Sequence, residues 1–385
     1  MKLTKLFHDF FQSEKSSGLA LMACTVISLV LANSGLRDGY LAFWDYHIFE
    51  HTLSHWINDG LMAIFFLLVG LELEREVYIG ELSSLRHALL PVVAALGGML
   101  VPAGFHFVFN HGTDTQAGAG IPMATDIAFA LAVLSLLGNR VPASLKIFLT
   151  ALAVIDDLGA ILVIAIFYTG TLVWMNLLVS LAVFGVLLIL NRLKVRNLIP
   201  YLAGGIVMWY FMLHSGIHAT ISGVLLAFAI PFGNGDEKST SYILQHFLHK
   251  PVAFFILPVF ALANTAVTLP ADWVHSLVEA NSLGIFFGLF VGKPLGISVF
   301  SYVSARLKLT RLPDDLVIGH VIGAGFLGGI GFTMSIFITL LAFQDPHLIN
   351  ESKIVILLSS VIAGITGFLL LQMFCRTALA GANDE

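Results

Sequence analysis

Stretches of about 20 mostly apolar residues, the length a helix needs to cross the hydrocarbon of a bilayer, recur along this chain almost without interruption. They fall at 17–34, 55–77, 87–109, 119–137, 143–168, 172–191, 198–213, 216–232, 251–269, 282–305, 319–343 and 353–378. Composition agrees: 58% of the 385 residues are apolar and 11% charged, where a soluble domain carries about 25% charge. An ordinary soluble enzyme is excluded, and an all-α polytopic membrane protein with 12 transmembrane helices is expected.

The basic residues give the direction of threading. Lys2, Lys5, Lys15, Arg75, Arg86, Arg140, Lys146, Arg192, Lys194, Arg196, Lys238, Lys250, Arg306, Lys308, Arg311 and Arg376 fall on one side of the twelve spans, Arg37 and Lys353 on the other, and Lys293 inside one. Both termini are therefore expected in the cytoplasm. The 19 Lys+Arg against 24 Asp+Glu leave no basic excess for nucleic acid. Cys24 and Cys375 match no disulfide or zinc spacing and read as packing residues. Within 1–15, Leu3, Leu6, Phe7, Phe10 and Phe11 recur at helical spacing beside Lys2, Lys5 and Asp9, as in an amphipathic segment lying on the membrane surface. Gly233 to Tyr242 is polar and reads as a flexible connector.

Asp59, Asp126, Asp156, Asp157 and Lys293 lie inside apolar spans. Each costs roughly 2.5–3.5 kcal/mol at a helix centre on insertion scales, so such groups pair with one another or line a water-filled path. Asp156 and Asp157 are adjacent, and neighbours on a helix point about 100° apart. One carboxylate can face a cavity while the other turns to a neighbouring helix. Close carboxylates titrate as a coupled unit, and a hard monovalent cation with oxygen ligands can take the place of the protons.

Asp126 follows two glycines and Pro122, which disfavour continuous helix in the fourth span; Gly323, Gly325, Gly328, Gly329 and Gly331 do the same in the eleventh. Non-helical backbone at membrane depth survives only when buried in protein or lining a cavity. Two interrupted, crossing helices expose opposing partial charges at their broken ends. Asp126 is placed to offset the N-terminal ends, and Lys293 the C-terminal ends or an ionised aspartate. Spans three to five and ten to twelve, roughly 87–168 and 282–378, are an odd number of crossings apart and so run in opposite directions. Each trio has its broken member in the middle, the pattern of inverted repeats around a midplane site.

Several segments resemble the NhaA-type sodium/proton antiporters of the bacterial inner membrane, a known case of that repeat architecture. They are Thr125-Asp-Ile-Ala-Phe-Ala130, Ala153-Val-Ile-Asp-Asp-Leu-Gly-Ala160, Gly292-Lys-Pro-Leu-Gly-Ile297 and Gly329-Ile-Gly-Phe-Thr-Met-Ser335. Trp56-Ile-Asn-Asp59, Phe65 to Glu72 and Ser215-Gly-Ile-His-Ala-Thr220 also match, in order and over nearly the whole chain. The resemblance implies one antiporter domain over 1–385 with Na+, Li+ and H+ as transported ions and no cofactor. It implies that Asp157 and Asp156 exchange cation and proton, with Thr125 and Asp126 in the unwound crossing and Lys293 either paired with Asp156 or stabilising the helix crossing. It further implies a pH-responsive group of Glu72, Arg75, Glu76 and His246, with His218 further along the chain.

Two departures stand out. Gln245 occupies the place beside His246 where the family often has an acid. Gly35 to His55 is shorter than in members that dimerise through an extracytoplasmic β-hairpin, and its apolar stretch Tyr40 to Phe49 contains no Asn-Gly or Gly-x turn. An interfacial helix or a snug cap is expected there, with Trp44 and Tyr46 at headgroup level and any homodimer labile. Among other uses of intramembrane acids, the aspartyl proteases need a G-x-G-D-type string on a second helix, whereas Gly233-Asn-Gly-Asp236 falls in the polar connector, and the prenyltransferases need a second spaced acidic motif, which does not occur. The remaining alternative is a proton-translocating subunit of a larger redox-driven complex.

Overall fold

The computed structural model describes residues 3–270 and 273–381; the side chains of 3–14, 85–87, 139 and 376–381 lie outside the described set. The amphipathic face expected for 1–15 therefore falls outside the described residues, although its backbone belongs to the helix Leu3–Ala32. The same is true of the Lys5, Arg86 and Arg376 side chains.

The chain is a helical, polytopic membrane protein. Among the described residues, eight helices are long and apolar enough to cross a bilayer, or ten if each of two bent pairs counts as one span. The two remaining expected crossings are shorter: Leu198–Leu213 has 16 residues and Ile221–Ala229 has 9. Residues 217–220, which the apolar pattern alone assigns to a span, instead form a turn hydrogen-bonded through Ile221 N to His218 O.

The ninth expected span begins at Thr240, not 251, so the polar connector is shorter than expected. Leu244 and Leu248 are buried at helical spacing among His246, His249 and Lys250, and that charge hides the helix from a hydropathy window. Pro251 does not break it, because the π-turn Val252–Ile256 absorbs the lost hydrogen bond and the helix runs on to Asn264. Similar π-turns carry Asp59 (Trp56–Leu61) and immediately precede Lys293 (Gly288–Gly292). The last helix starts at Pro346, earlier than the expected 353.

Between the first two long helices the interfacial helix is present as Arg37–Trp44, but a hairpin follows it. His47–Ile48 pairs antiparallel with His51–Thr52, His47 opposite Thr52. The turn places Phe49, 91% exposed, at φ 57°, so a residue with a side chain occupies a conformation that normally signals glycine. The Trp56 indole donates to Ile48 O at 3.0 Å and Leu53 N donates to Tyr46 O at 2.9 Å, fixing both ends of the hairpin. Tyr46 is exposed, whereas Trp44, expected at headgroup level, is buried.

By contacts the chain divides into two compact units, one of Met1–Ala23, Ser84–Ala160 and Val267–Glu385, the other of Cys24–Ser83 and Ile161–Ala266. In the first, the helix Leu85–Asn110 lies against the helical span Ala280–Arg306 with backbone touching backbone. A Cβ on Gly97 would overlap the carbonyl of Gly296, and one on Gly296 the carbonyl of Gly97. In the second, Leu53–Tyr78 packs on Ile221–Ala229, and a Cβ on Gly223 would overlap Ala63 O. Small residues give such helices the close contact that replaces a hydrophobic driving force inside lipid.

Candidate cation site

The first unit holds both bent pairs. Asp114–Met123 and Ile127–Ser135 meet at 41° across Ala124, Thr125 and Asp126; Ile318–Gly328 and Phe332–Ala342 meet at 47° across Gly329, Ile330 and Gly331. Pro122 and an extended Asp126 (φ −83°, ψ 96°) interrupt the first pair, and Gly329 and Gly331 the second. The two interruptions are hydrogen-bonded together. Asp126 N donates to Ile330 O at 2.7 Å, and Thr125 Oγ1 lies 2.8 Å from Gly328 O.

Asp126, 2% exposed, caps both downstream half-helices. Its Oδ1 accepts from Phe129 N at 2.9 Å, as an N-cap for Ile127–Ser135. Its Oδ2 accepts from Thr333 N at 3.1 Å and from the Thr333 hydroxyl at 2.5 Å, at the first turn of Phe332–Ala342. One carboxylate thus answers the positive ends of two helix dipoles. Asp126 stands at the N-terminal ends of both half-helices, and Thr333 is the partner that sequence reasoning missed. Its signal was a hydroxyl two residues after the glycine break, where helix N–H groups have no partner within the helix.

Asp156 and Asp157 lie on the helix Ala143–Phe167, 1% and 2% exposed. Lys293, fully buried, approaches Asp156 Oδ2 at 2.6 Å, so the expected pair is formed. The Lys293 ammonium also donates to Met123 O, the carbonyl end of the half-helix Asp114–Met123. It therefore offsets a helix C-terminus and a carboxylate at once. Thr125 Oγ1 lies 2.7 Å from Asp156 Oδ2, and its single proton has two acceptors in reach, that oxygen and Gly328 O. Asp156 Oδ1 is buried without a hydrogen bond. A buried carboxylate oxygen left unpaired is costly. The other oxygen of the same carboxylate carries the Thr125 hydroxyl and the Lys293 ammonium, and Asp157 is the next residue along the helix.

The residues expected to respond to pH lie in the second unit and separate into two groups. Glu72, Arg75 and Glu76 share the helix Met62–Tyr78. The Arg75 guanidinium lies over the Tyr242 ring at 5.4 Å, and Tyr242 stacks on His246 at 6.1 Å between centroids. Tyr242, absent from the sequence-derived set, links Arg75 to His246. Glu76 Oε2 accepts from Glu81 N at 3.0 Å and closes the helix end. His218 is not with them: its Nε2 is 2.8 Å from Tyr168 O. Asp59, whose Oδ2 lies 3.3 Å from His55 Nδ1, precedes Glu72 by 13 residues on the same span, about 20 Å of helix. His218 belongs to that Asp59 end through its electrostatic contact with the carboxylate.

The family model of Na+/H+ antiporter 1 matches residues 8–371. A protein of Flavobacterium psychrophilum described as Na+/H+ antiporter NhaA is 66% identical over 379 residues, covering 98% of this chain and 99% of the relative. One of the same description from Cytophaga hutchinsonii is 59% identical over 385 residues, the full length of both. A third, from Dechloromonas aromatica, is 61% identical with 97% of each chain covered. A match of this identity and extent, over a chain whose buried aspartates and lysine meet at two broken helices, leaves one conclusion: the chain belongs to the Na+/H+ antiporter 1 family.

Proposed function

We propose that this chain is a secondary transporter, not an enzyme, that exchanges Na+ or Li+ for H+ by alternating access at Asp156 and Asp157. Thr125 supplies a further oxygen, Asp126 holds the two broken helices, and Lys293 holds the site when no cation is present. The observation that carries the assignment is the Asp156 carboxylate: one oxygen is bound to Lys293 and Thr125 while the other is buried with no hydrogen bond. A cation entering there displaces the ammonium and draws on both carboxylates. The site is a coupled unit that releases more than one proton per cation, so exchange moves net charge.

The proposed topology is twelve crossings of the bacterial inner membrane with both termini cytoplasmic. It is reached by adding Leu198–Leu213 and Ile221–Ala229 to the ten spans of sufficient length. Residues 1–385 act as one antiporter domain in which 87–168 and 282–378 are inverted repeats whose broken helices cross. Glu72, Arg75, Glu76, His246 and His218 set the pH response, and the ions need no cofactor. Membrane lipid surrounds the chain, and two copies form a labile dimer, since strands of two residues offer few main-chain bonds to a partner.

Proteoliposomes containing only this chain, with a trapped pH gradient and a fluorescent reporter, test the function. Addition of Na+ or Li+, but not K+, should dissipate the gradient, and an imposed membrane potential should drive labelled Na+ with no gradient present. Failure of the chain to work alone favours the subunit of a larger redox-driven complex; indifference to potential means one proton per cation.

A further inference from the structure

Glu74 differs from the acids beside it. Glu76 accepts a main-chain hydrogen bond, and Glu72 is only part-buried. Glu74 is 5% exposed, its Oε2 is buried without a hydrogen bond, and no cationic side chain pairs with it among the described residues. A carboxylate in that state requires either a proton or a cation from outside the chain.

The surroundings say which cation fits. Glu74 lines a cavity of about 500 Å³, all within the second unit, whose walls include Tyr78, Phe228, Phe232, Asn191 and Asn234. Tyr78 is one helical turn beyond Glu74 and so on the same face. Its ring meets that of Phe232 at 4.9 Å between centroids. Asn191 uses its amide N–H on Ala229 O at 3.0 Å, which leaves its Oδ1 as an acceptor. A bare alkali ion prefers a shell of oxygens; one carboxylate, an amide oxygen and three aromatic rings suit a cation carried on a small organic body. The volume falls in the range of small-molecule sites.

We propose that this cavity binds a primary ammonium group, with Glu74 as its counter-ion and Tyr78, Phe228 and Phe232 as walls for the carbons that carry it. The cavity lies where the helices bearing Arg75 and Arg192 end, and Tyr78 is 63% exposed there. Two sources share this chemistry, the headgroup of an ethanolamine phospholipid at the membrane surface and a free amine in solution.

The test uses the full chain in nanodiscs and thermal unfolding followed by intrinsic fluorescence. Ethanolamine is titrated at constant ionic strength into phosphatidylcholine discs, and phosphatidylethanolamine is mixed into a parallel series. Stabilisation in the first arm identifies a soluble amine and in the second the lipid headgroup. In either case Glu74→Gln should weaken the half-saturating concentration about tenfold or more, and Phe232→Leu should weaken it to a smaller extent. Sodium-driven exchange by both variants at saturating Na+ shows that they are folded. Should Glu74→Gln fail to reconstitute, Phe232→Leu decides alone. No stabilisation in either arm, or an unchanged half-saturating concentration in the variant that folds, overturns the proposal.

Discussion

Asp126 and Asp156 are both buried to within 2% of full enclosure, yet their surroundings treat them in opposite ways. Both oxygens of Asp126 are engaged, one by a single donor and the other by two, all of them fixed to the half-helices they cap. Asp156 has its contacts on one oxygen, from an ammonium on a long flexible stem and a hydroxyl that has another acceptor in reach. A carboxylate saturated by rigid donors is committed to structure. One held at a single oxygen by movable partners is free to change them, and ion exchange needs the second kind. The first maintains the non-helical crossing on which the second depends.

The comparison breaks most decisively at the second site. Asp157→Asn and Asp156→Asn should each abolish sodium-driven proton movement while the protein remains folded, because each removes an ionisable oxygen ligand that the apolar span cannot replace. Normal exchange by either variant at saturating Na+ sinks the site assignment. Next comes Lys293→Ala, which leaves a buried carboxylate without its cation at a cost of about 3–5 kcal/mol. A proton can neutralise that carboxylate at low pH, so the sign is definite: the loss of melting temperature should be large in alkaline buffer and shrink as pH falls. An equal loss at every pH would show that the contact of Lys293 with Asp156 contributes no charge pairing. Asp126→Ala should cost about 2–4 kcal/mol, the sum of caps lost on two half-helices. Asp126→Asn, which keeps one acceptor oxygen, should retain measurable exchange at saturating Na+ with a reduced melting temperature. If it instead abolishes exchange without changing the melt, Asp126 is a ligand and not a cap, and the contrast fails.

Much of this contrast was legible in the sequence, for a physical reason. A charge in an apolar span is costly enough that its presence demands a partner, and Asp126, Asp156 and Lys293 announced themselves in that way. The Gly/Pro interruptions likewise marked where helix ends would need charges. What stayed hidden were partners with no such cost. Thr333 is an ordinary hydroxyl in an apolar run, and the Met123 and Gly328 carbonyls have no sequence signature at all. The hairpin escaped because Phe49 takes the left-handed turn in place of glycine. The helix from Thr240 escaped because its polar face lowers mean hydropathy, although Leu244 and Leu248 keep helical spacing. The separation of His218 from His246 could not be read from residue types, since both are histidines near acids in the chain. Only the fold assigns them to different ends of a span.

The smallest expected effect concerns that separation. His246 stacks on the Tyr242 ring that Arg75 also covers. His246→Ala should therefore move the midpoint of the pH–activity curve by a fraction of a unit and leave the maximal rate almost unchanged. His218→Ala should alter the curve independently, because its neighbours are Asp59 and Tyr168. The double variant should show the two shifts added, as distant sites with no shared partner do. In the proposed exchange, protons and sodium compete at Asp156 and Asp157 whatever the histidines do, and that competition alone would make activity rise with pH. The comparison must therefore be made at saturating Na+, where competition is suppressed. Overlap of all three variants with the parent there would mean that no sensor exists apart from the ion site. A double variant that shifts no further than one single variant would mean that the two histidines act as one group despite their different surroundings.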